Sequence, residues 1–423
     1  MIVGIIFFVC IILFLMDKYA PSLIALAGCV ALVVTNSTSL QDAFSGFTND
    51  IVFIILGTEL FGIACQKSGL ASMVSDFICN NIRGNNEKAV MRRIIFVLGI
   101  VAAVLSAFLN NQVVSSLAII TCISISQKEM SINVKTITLP VIYAVILGGQ
   151  CTLVGAPATL VSSSMSKELV GYELSMFSLL PMGAVILCIG MLYLSFFGVK
   201  HGERVWGEDD NVVNQIVIKE KRTIENQKVK CIVTAFAGVV MIILFLNNVV
   251  SVGMASMIAG LICLFGKVMT VQDAYKKLDW NILIWLGCSI GMANALNSSG
   301  VLRIICDNIV SCLPGKISPV LLLCFMVILT TILSNFIANT TTIIMILPIV
   351  ISIVNQYGFN VEPFVIAITM AAGLSVMTPL SCGFIGMTMR LGYKFKDYIK
   401  YGAGFQLLIT SLVIVMTCSM YSF

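Results

Sequence analysis

The sequence predicts an all-α protein that crosses a membrane many times, and three observations lead to this fold class. The 423 residues are 59% hydrophobic and only 11% charged, whereas soluble domains carry about 25% charged residues. The mean hydropathy is +1.03. Long apolar runs separated by short polar breaks recur along the whole chain, which is typical of membrane-spanning helices. Soluble, disordered and disulfide-stabilised secreted proteins are therefore excluded.

Ten apolar segments are each predicted to cross the membrane once. Several are shorter than the ~20 residues of an ideal span, so their ends are expected to shift slightly. The first segment lacks a preceding basic region and a following cleavage site, and it is expected to be a retained helix rather than a signal peptide. The segments are residues 2–16, 21–35, 51–65, 137–164, 176–199, 231–249, 252–265, 282–296, 363–389 and 401–420.

Two longer apolar stretches, residues 93–126 and 317–354, are each predicted to form a re-entrant helical hairpin. A polar cluster interrupts each stretch near its middle, at residues 110–112 in the first and 339–342 in the second. Each stretch could instead be two full crossings. Adjacent amides would then face lipid or a short outer loop, which is unfavourable. We therefore favour hairpins whose tips stop in mid-membrane.

The distribution of basic residues predicts which side of the membrane each loop occupies. With the N-terminus outside, 22 of the 25 Lys and Arg residues fall in cytoplasmic loops, as the positive-inside rule requires. Only Lys167, Arg303 and Lys316 fall outside. Both termini are therefore expected to be extracellular or periplasmic, and the polar residues 199–229 are expected to form a cytoplasmic linker.

The linker separates two predicted repeats, residues 1–198 and 230–423. The sequence Gln-Asp-Ala-Phe at 41–44 recurs as Gln-Asp-Ala-Tyr at 272–275. Chance similarity among apolar helices is the alternative, but the matches include polar residues and turns. The same offset pairs Ile51 with Ile282, Ala64 with Ala295, Ser68-Gly69 with Ser299-Gly300, Asp76 with Asp307 and Ile78 with Ile309, and after a three-residue deletion Ser106, Phe108 and Asn111 fall on Ser334, Phe336 and Asn339.

Each repeat contains five crossings and one hairpin, so the second repeat enters the membrane inverted relative to the first. Inverted repeats with interrupted helices are typical of secondary transporters, whose substrate site lies near the midplane between the repeats. No GxxxxGK[ST] motif occurs, so transport driven directly by ATP is not expected in this chain. An intramembrane enzyme is a remote alternative, because no Ser/His, paired-Asp or HExxH arrangement is found.

Four polar interruptions of apolar helices are candidates for the transport site. Two are the hairpin tips, and two are breaks containing Gly and Pro at residues 148–157 and 373–379. Such breaks expose backbone N–H groups, which hold anions, and carbonyl oxygens, which together with Asn and Ser oxygens hold Na⁺. Alternatively, the polar residues only join helices, and the Gly and Pro residues only permit kinks.

At these residues the chain resembles the divalent anion/sodium symporter family, and related permeases of the ion transporter superfamily, over essentially its whole length. In that family each hairpin tip carries Ser-Asn-Thr, and the broken helix carries Gly-Gly-Thr-x-Thr-x-x-Gly-Thr-Pro-Pro-Asn. The second tip matches except at Ala338, and the first tip keeps only Asn111. The first broken helix keeps Gly148, Gly149, Thr152, Gly155 and Pro157, with Thr159 in place of Asn, and its counterpart keeps Thr378-Pro379.

The resemblance implies a homodimer in the plasma membrane, whose hairpin-bearing domains move past a static scaffold. It implies no cofactor apart from the coupling ion, Na⁺ or H⁺. The anion would lie between the two tips, and each tip would share a Na⁺ with the neighbouring break. The residues implied to bind substrate are Asn110, Asn111, Gln112, Thr152, Ala338, Asn339, Thr340, Thr378 and Pro379. Those implied to bind Na⁺ are Ser106, Asn110, Asn111, Gly149, Ser334, Ala338, Asn339 and Gly373.

Acidic residues could add a second coupling ion. Glu59 lies inside a predicted crossing, where carboxylates are functional candidates. It could carry a coupling proton, or it could pair with a neighbouring scaffold helix. The acidic residues near the membrane interface are instead expected to cap helices or to lie in turns. They are Asp42, Asp50, Asp273 and Asp279.

The expected function is Na⁺-coupled symport of a small inorganic or organic anion. An ion/proton antiporter or a metalloid-anion efflux permease of the same superfamily is the alternative. Antiport usually requires an acidic pair at the tips, and these tips are uncharged. Gln112 stands where the family has Thr. It is expected either to narrow the site in favour of compact anions or to brace the hairpin.

Overall fold

The computed structural model describes residues 2–16, 19–69, 87–128, 132–206, 227–247, 250–300, 318–379 and 382–423. These residues form helices joined by short loops, with no strand among them. The first repeat contains α1 (Ile2–Met16), α2 (Pro21–Val34), α3 (Leu40–Ala43), α4 (Asp50–Ser68), α5 (Glu87–Phe108), α6 (Asn111–Lys128), α7 (Val134–Gly149), α8 (Pro157–Val170) and α9 (Leu180–Trp206).

The second repeat contains the same elements in the same order. They are α10 (Gln227–Asn247), α11 (Val252–Phe265), α12 (Val271–Lys277), α13 (Trp280–Ser298), α14 (Pro319–Phe336), α15 (Asn339–Tyr357), α16 (Val361–Gly373), α17 (Gly383–Gly386) and α18 (Phe395–Met420). Helices α5 and α6 form the first hairpin, and α14 and α15 form the second. The predicted hairpin arms and both predicted breaks are therefore present.

Positions that match between the two repeats in sequence also have similar local structure. The Ser39 hydroxyl accepts a hydrogen bond from the Asp42 N–H at the start of α3, and Thr270 and Asp273 form a capping box at the start of α12. Gly69 and Gly300 both have positive φ, at 81° and 70°, a conformation that Gly adopts without strain. The paired positions 76/307 and 78/309 lie outside the described residues.

Equivalent helices of the two predicted repeats pack in equivalent pairs. Helix α4 packs on α11, and the equivalent pair α13 and α2 packs in the same way. Helix α8 packs on α15, and its counterpart α17 packs on α6. The helices fall into a scaffold body (α1–α4 and α10–α13) and a hairpin body (α5–α9 and α14–α18). Each repeat therefore contributes equivalent helices to both bodies.

The scaffold helices approach closely because small residues lie between them. A Cβ at Gly57 would lie 2.3 Å from the backbone of Ser256, and a Cβ at Gly291 would lie 1.9 Å from the carbonyl oxygen of Ala43. Small residues allow this approach in membrane proteins, where lipid provides no hydrophobic drive between helices. The cysteines that the structure describes are free thiols, most of them buried.

Among the described residues, six helices are long and apolar enough to cross a membrane by length and composition. Five apolar helices are shorter, and they include α7 and α16, each of which ends at a break. The molecule is an all-α, multi-pass membrane protein. The expected linker begins later than the sequence predicts, because α9 continues through Val199–Trp206 instead of ending at residue 198. Most of the expected linker, residues 207–226, lies outside the described residues.

Candidate functional site

A cavity of about 220 Å³ lies where both hairpin tips and both broken helices meet the scaffold helix α13. This volume is smaller than the ~300–1,000 Å³ typical of pockets for drug-sized ligands. None of the described lining residues carries a charge. They are Asn110, Asn111, Gln112, Gln150, Ala156, Pro157, Ala158, Asn281, Trp285, Ala338, Asn339, Thr340, Thr341, Gly373, Cys382, Gly383 and Phe384.

The first tip is tied to the first break by Asn111. The Ser106 hydroxyl lies within hydrogen-bond distance of two acceptors, Oδ1 of Asn111 and the carbonyl oxygen of Val145, 2.8 Å away, and its single hydrogen is shared between them. A Cβ at Gly149 would lie 2.3 Å from Oδ1 of Asn111. Gly149 is therefore required because the Asn111 amide lies directly against its backbone.

The second tip is tied to the second break in a similar way. The Ser375 hydroxyl donates to Oδ1 of Asn339 over 2.7 Å, and Nδ2 of Asn339 donates to Sγ of Cys382 over 3.1 Å. The Ser334 hydroxyl lies 3.5 Å from the carbonyl oxygen of Ala371. Both tip asparagines therefore depend on the neighbouring break for their position.

Thr152 and Thr378 play equivalent parts in the two repeats. The Thr152 hydroxyl donates to the carbonyl oxygen of Ala107, and the Thr378 hydroxyl donates to that of Asn335. Both threonines are buried and lie behind the cavity lining, as do Ser106, Gly149, Ser334 and Pro379. Of the residues expected at the site, the cavity is lined by Asn110, Asn111, Gln112, Ala338, Asn339, Thr340 and Gly373.

Oxygen atoms converge behind the first tip. A Cβ at Gly155 would lie 2.4 Å from the carbonyl oxygen of Gly149 and 2.7 Å from that of Ser106. Oδ1 of Asn111 also lies against Gly149. Carbonyl and amide oxygens are the ligands that hold Na⁺ at broken helices, so this cluster has suitable chemistry for a cation.

Helix N-termini provide groups at the cavity that are suited to binding an anion. Ala156 is the N-cap of α8 and Ala338 is the N-cap of α15, and neither helix has a side-chain cap. Alanine is a poor N-cap because it offers no acceptor to the first N–H groups. Those N–H groups carry partial positive charge, and helix N-termini of this kind bind anions.

Glu59 connects the scaffold body to the first tip. Its carboxylate is buried in α4 and accepts a hydrogen bond from Nδ2 of Asn110 at 3.4 Å and from the Asp279 N–H at 3.0 Å. The equivalent position in α13 is Ile290, so this contact occurs in one repeat only. Glu59 therefore pairs with both a neighbouring scaffold helix and the hairpin body.

Several polar residues at the site were not expected from the sequence. Gln406 of α18 accepts hydrogen bonds from the Val376 N–H and from Asn335, and it donates to the carbonyl oxygen of Leu374. It therefore secures the backbone of the second break. A single amide inside the apolar run 401–420 was the available signal. Gln150, Asn281 and Trp285 line the cavity. Gln150 lies within the expected break 148–157 but was not expected to contact the ligand, and no sequence signal indicated Asn281 or Trp285.

Comparisons with known proteins agree with this architecture. The chain is 26% identical over 189 residues to YfbS, an uncharacterized transporter of Escherichia coli (strain K12), covering 44% of this chain and 31% of YfbS. It thus spans about a third of that relative. It is 23% identical over 384 residues to the sodium-dependent dicarboxylate transporter SdcS of Staphylococcus saprophyticus, covering 83% of this chain and 72% of SdcS.

The fold is similar to that of a solved transporter. The crystal structure of the YdaH transporter of Alcanivorax borkumensis superimposes with a TM-score of 0.62 at 14% sequence identity, covering 94% of this chain and 98% of that one. The profile of the CitMHS citrate transporter family matches residues 11–324 and 315–423. With paired hairpins, paired breaks and this match along nearly its whole length, the chain belongs to the CitMHS citrate transporter family.

Proposed function

We propose that the protein is a secondary active symporter that moves a small carboxylate anion together with Na⁺. The observation that carries this proposal is the uncharged cavity between the two tips. Its wall combines uncapped helix N-termini, which attract anions, with carbonyl and amide oxygens, which attract cations. The similarity to the sodium-dependent dicarboxylate transporter SdcS favours the same pair of solutes.

The anion is held without a basic side chain. The N-termini of α8 and α15 meet at the cavity, where Pro157, Ala158, Thr340 and Thr341 form part of the wall. Partial positive charge at such ends stabilises an anion where water is excluded. A site with no fixed positive charge releases its anion more readily when the accompanying cation leaves. This property suits a carrier that must unload its substrate.

Two cations are proposed, one at each tip. The first is bound by the oxygen cluster of Ser106, Asn111 and Gly149. The second is bound near Asn339 and Ser375, beside Ser334 and the C-terminal end of α16 at Gly373. Each cation position lies next to an anion-binding helix N-terminus. Cation and anion therefore stabilise each other electrostatically, which couples their binding.

Alternating access is proposed to occur by movement of the hairpin body past the scaffold body in a homodimer. The lining of the cavity supports this proposal. Helix α13 of the scaffold body provides Asn281 and Trp285, and the hairpin body provides the other lining residues. Sliding of the hairpin body along α13 would carry the site from one membrane face to the other. Both termini are proposed to be extracellular or periplasmic.

Proton coupling through Glu59 is a second candidate. The buried carboxylate hydrogen-bonds to the Asn110 amide at the first tip, so its protonation would weaken a contact between the two bodies. Intramembrane carboxylates in transporters often serve as proton carriers. In this alternative a proton carried by Glu59 replaces one of the two Na⁺ ions.

Uptake by proteoliposomes tests these proposals. Purified protein is reconstituted and supplied with labelled sulfate, phosphate, malate, succinate or citrate, under either an inward Na⁺ gradient or an inward proton gradient. We expect uptake of at least one carboxylate that requires Na⁺ and is abolished when K⁺ replaces it. Uptake driven by the proton gradient alone, and lost in Glu59→Gln, would favour the second candidate. Carboxylate uptake without either gradient would contradict both.

A further inference from the structure

The wall of the cavity contains a polar side chain that the protein leaves unpaired. Gln150 follows α7 in the first break and lines the cavity, yet only 1% of its surface is exposed. Neither Nε2 nor Oε1 has a hydrogen-bond partner among the residues that the structure describes. Buried amides are almost always paired, because an unpaired donor or acceptor loses its interactions with water. An unpaired amide in a binding cavity indicates a group that pairs with the ligand.

Gly373 determines the position of this amide. A Cβ at residue 373 would lie 2.0 Å from Nε2 of Gln150 and 2.3 Å from its Cδ. The Gln150 amide therefore lies directly against the backbone of the second repeat, and only Gly leaves room for it. The side chain reaches from the first break to the end of α16, so it lies between the elements that enclose the site.

The three tip asparagines each have at least one hydrogen-bond partner already. Oδ1 of Asn111 accepts from Ser106, and Oδ1 of Asn339 accepts from Ser375. Nδ2 of Asn110 donates to Glu59, and its Oδ1 accepts from the Gln112 N–H. Gln150 differs from these tip asparagines because both of its polar atoms are unpaired. It is therefore the amide most suited to discriminate between ligands.

The chemistry of an amide specifies what the ligand must present. Nε2 donates hydrogen bonds and Oε1 accepts them, whereas an ionised carboxylate only accepts and a hydroxyl group does both. A ligand that carries carboxylates alone pairs with Nε2 but leaves Oε1 unpaired. A hydroxyl group beside a carboxylate pairs with both atoms.

We propose that Gln150 is a specificity-determining residue that selects a hydroxylated dicarboxylate over the unsubstituted dicarboxylate of the same length. Nε2 donates to a carboxylate oxygen, and Oε1 accepts the hydrogen of the neighbouring hydroxyl group. Sites that hydrogen-bond a ligand hydroxyl reject the analogue that lacks it, because their own buried polar groups are then left unpaired. The proposal rests on the proposed function, since it names the substrate class of the same cavity.

Malate and succinate test this proposal because they differ by one hydroxyl group. Na⁺-dependent uptake of each is measured in proteoliposomes, together with the thermal stabilisation of the purified protein by each acid. We expect wild type to favour malate by about tenfold or more. Gln150→Leu, which keeps most of the volume, should bring the ratio of malate to succinate uptake close to one. Gly373→Ala keeps the amide but displaces it, and should reduce the ratio as well.

The control removes an amide far from the cavity. Asn247→Leu alters the exposed end of α10, where Nδ2 donates to the carbonyl oxygen of Ile243, and it should leave the ratio unchanged. A wild-type ratio near one, or an unchanged ratio in both Gln150→Leu and Gly373→Ala, overturns the proposed role of Gln150. Neither result affects the proposed function. Absence of uptake of every carboxylate by wild type overturns the proposed function and this inference with it.

Discussion

The amides of Asn111 and Asn339 are each held by a serine hydroxyl that donates to Oδ1. For Asn111 the serine comes from the first arm of the hairpin, and for Asn339 it comes from the second break. The two tips thus reach the same geometry with donors from different elements. Each amide is held in place by the protein itself, which would reduce the entropy cost of binding a cation at the proposed sites.

Replacing either tip asparagine by alanine is expected to impair Na⁺ binding. Asn111→Ala and Asn339→Ala each remove an amide oxygen where water cannot freely substitute, at a cost of about 1–3 kcal/mol. Uptake should fall at least several-fold, and the Na⁺ concentration for half-maximal uptake should rise. Uptake is measured against Na⁺ concentration at equal surface expression, with Asn355→Ala at the exposed end of α15 as control. Normal uptake by both variants would show that these residues only join helices.

Gln112 is expected to set the width of the cavity. Its backbone N–H donates to Oδ1 of Asn110, and the residue lines the cavity beside the first tip. Its bulk favours compact anions, so Gln112→Thr should increase acceptance of C4-dicarboxylates. Competition by sulfate, phosphate, malate and succinate is measured for both proteins. An unchanged inhibition profile would indicate that Gln112 braces the hairpin instead.

At the scale of elements, hairpin and broken helix behave as one packed unit in each repeat. Helix α5 packs along α7, and α14 packs along α16. Gly148 makes the first contact possible, because a Cβ there would lie 2.1 Å from the carbonyl oxygen of Ala103. Backbone atoms cannot move aside as a flexible side chain can. Any larger residue at 148 therefore separates the hairpin from its break.

Gly148→Ala is expected to lower the free energy of unfolding by about 1–3 kcal/mol or more, as overpacked cores do. It should also shift the first tip, so Na⁺-dependent uptake should fall even in the protein that folds. Gly386→Ala is a suitable control, because its Cβ would meet nothing closer than Pro379 O at 3.6 Å. Thermal melting of the detergent-solubilised variants gives the comparison. Equal melting temperatures would contradict the close packing of α5 on α7.

Sequence patterns predicted elements better than they predicted the contacts between elements. Helices α1 and α11 have the predicted bounds, and both hairpin tips occur at the predicted polar clusters. These features depend on local hydrophobicity and on polar interruptions, which the sequence displays directly. The unpaired state of Gln150 and the hydrogen bonds of Gln406 depend on residues distant in sequence.

The four expected acidic caps are correct, since each carboxylate accepts a hydrogen bond from a nearby N–H or hydroxyl group. These residues are Asp42, Asp50, Asp273 and Asp279.

At the scale of the whole molecule, the two bodies meet asymmetrically. Helix α4 packs along α6 of the first hairpin, with Gln66 donating to Ser116 at 3.2 Å and Gly62 facing Val113. The repeat-related helices, α13 and α15, make no comparable contact within the described residues. An inverted repeat predicts a second state in which this asymmetry is exchanged. Positions 290 and 338 correspond to Glu59 and Asn110.

Cysteine cross-linking should therefore detect two states. In a background without reactive native cysteines, Gly62→Cys with Val113→Cys should cross-link in the state described above. Ile290→Cys with Ala338→Cys should cross-link only in the exchanged state, and each cross-link should stop transport. Electrophoretic mobility after oxidation, together with uptake before and after reduction, gives the measurement. Failure of the second pair to cross-link under any ion or substrate condition would contradict exchange between repeat-related states.

Membrane sidedness is a separate prediction for the whole chain. The distribution of Lys and Arg predicts that residue 211 is cytoplasmic and that Phe423 is outside. Single cysteines at these two positions are labelled in intact cells with a membrane-impermeant thiol reagent. We expect labelling at 423 and protection at 211 until the cells are opened. Protection of position 423 in intact cells would contradict the inverted arrangement of five crossings in each repeat.

Glu59 has no equivalent carboxylate in the second repeat, where Ile290 stands, and this difference has a thermodynamic consequence. Two identical repeats would give two end states of equal free energy, each half populated in the absence of ligand. A hydrogen bond contributes about 0.5–1.5 kcal/mol net, and Ile290 offers none in return. A difference of 1.4 kcal/mol changes a population ratio about tenfold. If the proposed movement of the hairpin body occurs, this single hydrogen bond is enough to give the empty carrier a resting orientation. Transport in one direction would then begin from the major state, and transport in the other direction from the minor state.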